Sequence, residues 1–74
     1  MKILFLQNVT VDIFNSRWSN DSWDKTYHKN DVINDVDVYE LSNNFSSITL
    51  SNGDIIVEIK NDSFKILTDD ETQN

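Results

Sequence analysis

The segment Ser47 to Ile59 limits the possible folds of this chain more than any other stretch. The single glycine, Gly53, follows Asn52, and β-type segments flank the pair. Asn-Gly is the favoured centre of a two-residue type I′ hairpin turn, because both residues tolerate positive φ. Ile48 and Leu50 alternate before the turn; Ile55, Val57 and Ile59 alternate after it. The pattern predicts a β-hairpin with one buried face along these residues.

The rest of the chain extends the β reading. It has no alanine or proline, and no window has convincing helical periodicity. Abundant Ile, Val, Thr, Asn and Asp point away from helix. Ile3 to Leu6 read as a buried first strand, continued by Val9, Val11 and Ile13 in alternation with Thr10 and Asp12. The change of pattern at Gln7-Asn8 predicts a bulge or bend. Residues 15–24 read as a long polar loop, and a short element is expected over 25–28. Lys29-Asn30-Asp31 is a turn signal. Val32 to Leu41 reads as one strand, with Val36 and Val38 on one face and Tyr39 and Leu41 on the other. Asn61-Asp62-Ser63-Phe64 reads as a 3₁₀ turn, Lys65-Ile66-Leu67 as the last strand, and 68–74 as a frayed acidic tail. Residues 1–67 then form one all-β domain of five to six short strands. Strands this short must curl to cover their edges, and a small barrel does so.

At 74 residues the chain is one domain. A domain of this size hides only about 60% of its unfolded surface. Without cysteine it has neither a disulfide nor a thiolate metal site. Asn, Ile, Lys, Phe, Tyr and Met supply 30 of the 74 residues, the bias of an AT-rich genome such as a phage. The apolar start Met1 to Leu6 stops at Gln7, too short for a signal-peptide core or a membrane span. A cytoplasmic location is expected, in the host if the protein is viral. Four Asn-x-Ser/Thr sequons, at Asn8, Asn20, Asn44 and Asn61, are what an Asn- and Ser-rich chain produces by chance.

Three local patterns fall in the order of the Src-homology-3-like barrel. Tyr27-His28-Lys29-Asn30-Asp31-Val32-Ile33 resembles the family's diverging turn, with Asn30 at the glycine position. Asn tolerates the left-handed conformation, so the replacement is physically reasonable. Ser51-Asn52-Gly53-Asp54 resembles the distal hairpin, and Asn61 to Leu67 resembles the 3₁₀ turn and closing strand. The resemblance implies a small barrel with a long polar loop after the first strand. It does not imply the family's peptide ligand. The early aromatic run is replaced by Val11-Asp12-Ile13-Phe14, Phe45 stands after the third turn without a Trp, and the proline of the 3₁₀ turn is missing. Polyproline recognition needs an aromatic-lined groove.

Charge narrows the partners. The formal net charge is −7, with three acidic and four basic residues in 1–30 and ten acidic and two basic in 31–74. This opposes phosphate-backbone and anionic-membrane binding. Asp31, Asp35, Asp37, Glu40, Asp54 and Glu58 read either as solvated faces or as an acidic surface for a basic partner. As parts of one strand, Asp35 and Asp37 would share a face. The ligand spacing of a calcium loop is absent, and no metal or cofactor is expected.

Arg17, Trp18 and Trp23 lie in the predicted polar loop. Trp, Tyr and Arg dominate binding hot spots, so these three are candidate anchors, with Tyr27 and Tyr39 as neighbours. The plainer alternative is that the tryptophans fold back and close one end of the barrel. His28 is the sole histidine, no nucleophile elbow is present, and one glycine cannot make a phosphate loop. These features imply a non-catalytic protein-interaction module, such as a phage accessory protein that modulates a host protein. Two alternatives are a nucleic-acid mimic, whose carboxylates imitate phosphates, and a virion or assembly component that self-associates through strand edges.

Overall fold

The computed structural model describes residues 1–15 and 21–67. The expected tail lies outside the described residues, as does the centre of the expected loop. The described residues are all-β and form eight strands rather than five or six: β1 Lys2–Phe5, β2 Val9–Asn15, β3 Asp21–Tyr27, β4 Val32–Ile33, β5 Asp37–Glu40, β6 Phe45–Thr49, β7 Ile55–Lys60 and β8 Phe64–Leu67. A 3₁₀ turn at Asn61–Ser63 precedes β8, as the sequence predicts. The strands form two antiparallel sheets, ordered β4-β1-β8 and β3-β2-β7-β6-β5. Their ladders do not join into one closed ring, so a continuous barrel is not what the described residues form.

The core lies between the sheets. Ile3, Phe5 and Phe64 face it from one side; Val11, Ile13, Ile48, Ile56 and Ile59 face it from the other. One apolar row crosses all five strands of the larger sheet: Val38, Ile48, Ile56, Ile13 and Trp23 stand opposite one another in turn. Tyr27 stacks on Phe5, with centroids 4.4 Å apart and planes 7° from parallel. Aromatic pairs in such contact add about 1 kcal/mol beyond the area they bury.

The hairpin at Gly53 forms with a different turn. Gly53 N donates to Leu50 O at 3.0 Å, and Leu50 N donates to Asp54 O at 2.7 Å. Gly53 has φ 94°, while Asn52 is not among the positive-φ residues. The loop is therefore Ser51-Asn52-Gly53: a type I turn followed by a left-handed glycine, not a two-residue type I′ turn. One extra loop residue moves the register by one, which exchanges the two faces of the returning strand. Ile48 pairs with Ile56 instead of Val57. Ile56 is buried, whereas Val57, expected inside, is exposed. Between the pairs Ile48–Ile56 and Ser46–Ile59, β7 holds one residue more than β6. That bulge returns Ile59 to the core and leaves Val57 and Glu58 both outside.

Corners carry the chain between sheets. The segment read as one strand from Val32 to Leu41 is β4 and β5, in different sheets, bent where Asp35 takes φ 57°. Val36 and Met1 exchange backbone bonds across this corner: Val36 N donates to Met1 O at 2.9 Å, and the Met1 ammonium donates to Val36 O at 2.7 Å. The pattern change at Gln7-Asn8 is likewise more than a bulge, because β1 and β2 belong to different sheets. Asn30 has φ 77°, the left-handed conformation that its place in the turn requires. Asn61 ties a third corner. Its amide nitrogen donates to Ser42 O at 3.2 Å and Asn43 O at 3.1 Å, its side-chain oxygen accepts from Ser46 Oγ, and its backbone N donates to Asn44 O at 2.8 Å.

Candidate protein-interaction surface

The predicted anchor residues do not form one cluster. Arg17 and Trp18 lie outside the described residues. Trp23 is on strand β3, not in a loop, opposite Ile13. It ends the apolar inner row on β3, the edge strand of the sheet among the described residues, and is 42% exposed. Tyr39 is on β5, at the opposite edge of the sheet and on its outer face. Tyr27 is corrected from surface to core: only 6% exposed, it is held by the Phe5 stack. Burial raises its hydroxyl pKa, with Asp31 and Asp54 adding to the effect. Lys25 Nζ stands 5.4 Å from the centre of its ring.

The acidic residues also disperse. Asp54 is not a surface group. The three-residue loop sets it opposite Leu50, on the core side, where it is 8% exposed and accepts from Asn52 Nδ2 at 3.1 Å. Asp31 closes the turn before β4 by accepting from His28 N at 2.8 Å. The bend at Asp35 separates it from Asp37, so the two do not share a strand face. Glu40 falls on the inner side of β5, at a cleft with Val38, Phe64 and Ile66 between the open edges of the two sheets. Glu58 is exposed at the β7 bulge. Among the described residues, no three His, Cys, Asp or Glu side chains are grouped as a metal would require. No helix among them is long and apolar enough to cross a membrane.

What the register does assemble is the outer face of the five-stranded sheet. The row Asp37, Thr49, Ile55, Phe14 and Ser22 crosses it from edge to edge. Tyr39 and Val57 flank this row, 56% and 47% exposed. Beside Phe14 on the β2–β3 ladder, Asp12 stands directly opposite Asp24, and Thr10 opposite Thr26. The two threonine hydroxyls are hydrogen-bonded at 2.8 Å. The Asp12 carboxyl has a raised pKa, first through its hydrogen bond with Asp24, then through the charge of Asp24, with a further small push from desolvation. Sequence reasoning missed Asp12, Asp24, Phe14 and Val57. Alternation in β2 is the signal available, but Asp24 sits in a stretch that reads as a loop and Val57 in a run that reads as core. No protein-family model, curated protein or solved structure matches this chain.

Proposed function

We propose that this chain is a small, acidic, non-catalytic protein-interaction module laid out on the Src-homology-3-like plan. The plan is supported by the order of its corners. A left-handed Asn30 precedes β4, the Gly53 hairpin joins β6 to β7, and the 3₁₀ turn leads into β8, which pairs with β1. The interaction role rests on one observation: Tyr39 and Val57 remain exposed on the outer face of the five-stranded sheet, beside Phe14 and Ile55, although the core between the sheets is complete without them. Large clusters of exposed apolar groups mark contact sites more often than single ones do. The composition fits a phage accessory protein acting on a host protein in the cytoplasm.

A second reading is the nucleic-acid mimic, favoured by the opposed Asp12 and Asp24 carboxylates on an open face. Affinity capture from host lysate, eluted by a salt gradient, separates the two. Wild type and a Tyr39→Ala/Val57→Ala variant are compared. A protein held by the wild type into high salt and lost by the variant supports an aromatic-anchored module. A partner kept by the variant and stripped by moderate salt supports the mimic. Retention of nothing by either sinks both readings in favour of self-assembly.

A further inference from the structure

We propose that the outer face of the five-stranded sheet docks a basic protein segment: Phe14, Ile55, Val57 and Tyr39 receive its apolar side chains, and the Asp12–Asp24 pair receives a lysine or arginine. This inference rests on the interaction-module reading and names the surface and partner chemistry that reading leaves open.

Three observations converge on the face. Its apolar residues are not structural remainders of the core, which lies on the other side of the same strands. Val57 is outside because the three-residue loop and the β7 bulge turn it there, so the patch is a product of the register. The charge around the patch is one-sided. Asp12, Asp24 and Asp37 alternate onto it; Lys25, next to Asp24, stands opposite the buried Val11 and so falls on the inner side, and Lys60 lies opposite Phe45 at the far end of the β6–β7 ladder.

The Asp12–Asp24 pair makes the charge argument specific. Like charges directly opposite in a ladder are destabilising. A guanidinium or ammonium placed between two carboxylates replaces that repulsion with charge-assisted hydrogen bonds. Tyr39 adds a ring on whose face a second cation can sit. A second copy of this face would meet it with the same excess of carboxylates, and a nucleic acid would set phosphates there. Charge complementarity therefore selects a basic polypeptide with apolar residues between its cations.

The test uses the full chain with labelled methyl groups and aromatic rings, followed by NMR. The probe is a synthetic peptide of alternating leucine and arginine; its leucine–glutamate counterpart is the control. The expected result is movement of the Ile55 and Val57 methyl and the Phe14 and Tyr39 ring signals with the basic peptide alone, while Ile56 and Ile59 stay in place. Asp12→Asn/Asp24→Asn is expected to weaken binding about tenfold, near 1.4 kcal/mol. Asp35→Asn/Asp62→Asn removes the same charge elsewhere and should weaken it less than about threefold. Equal weakening by the two double variants overturns the proposal, since the attraction would then be general. Movement of the Trp23 ring without Ile55 and Val57 overturns the face but leaves the module reading standing. Shifts of these same signals on raising protein concentration alone identify a second copy as the occupant and also overturn it. No shift with either peptide rejects this partner chemistry, and the lysate capture then decides the module reading separately.

Discussion

The β6–β7 and β2–β3 hairpins are both antiparallel ladders of one sheet, yet they are held by different forces. Both strands of β6–β7 send side chains into the core, with Ile48, Ile56 and Ile59 at 2% exposure or less. In β2–β3 only β2 does so generously; every residue of β3 except Tyr27 is exposed. The outer strand of this second hairpin is kept in place by its neighbour: the Thr10–Thr26 hydroxyl bond, the Ile13–Trp23 contact row and the buried Tyr27 at its end. A strand need not carry its own apolar periodicity if its partner is anchored and the cross-strand pairs are good.

The largest expected effect tests that contrast within a single row. Ile56 and Trp23 are two places apart in the same transverse row, one fully buried and one at the edge. Ile56→Ala leaves a cavity among close-packed neighbours and should cost about 3 kcal/mol. Trp23→Ala removes a larger side chain but should cost only about 1 kcal/mol, the scale of a cross-strand pair. Urea unfolding of both variants measures the difference. If Trp23→Ala costs as much as Ile56→Ala, Trp23 belongs to the core and the edge description fails.

The same contrast explains what could be read from the chain. The β6–β7 hairpin was legible because Asn-Gly and dense isoleucines mark it, and the 3₁₀ turn and Asn30 were legible from local chemistry. The β3 strand was hidden, since Asp21, Ser22 and Asp24 resemble loop residues when their partner Asp12–Asn15 is not in view. The register of β7 was hidden for another reason. An apolar run such as Ile55-Ile56-Val57 can face the core with either parity. The Ser51 that joins the loop decides the parity, and a loop of two or three residues around Asn-Gly is a choice that tertiary packing makes. The outer face followed from that choice, so it could not be seen before it.

Gly53 gives the next, smaller effect. At φ 94° it occupies a region that a Cβ disfavours. Gly53→Ala should cost about 1 kcal/mol while the Ile48–Ile56 pairing persists. The melting temperature reads the cost, and cross-strand NOEs between Ile48 and Ile56 read the register. Loss of those NOEs in a folded variant would mean that the loop alone, without the Ile56 and Ile59 burial, fixes the strand.

The smallest expected effect concerns the exposed hairpin and carries a pH signature. The Asp12 carboxyl is raised from its ordinary value of 3.8, with Asp24 as the leading cause. A group raised in the folded state lends its stability in full below its unfolded pKa and loses it as pH rises through the folded one. When protonated, Asp12 donates to the Asp24 carboxylate; when both are ionised, the pair repels. Wild type should therefore lose some stability between the acid side of 3.8 and neutrality that Asp24→Asn does not lose. The readout is the difference in melting temperature between the two proteins across that range, which removes the contributions of the other carboxylates. At neutral pH the variant should melt slightly higher, and the gap should close in acid. A variant that melts no higher at neutral pH would mean that the two side chains swing apart in water. In that event the outer face would hold no paired carboxylates ready for an incoming cation, and the β2–β3 ladder would rest, as before, on the threonine pair, the Ile13–Trp23 pair and Tyr27.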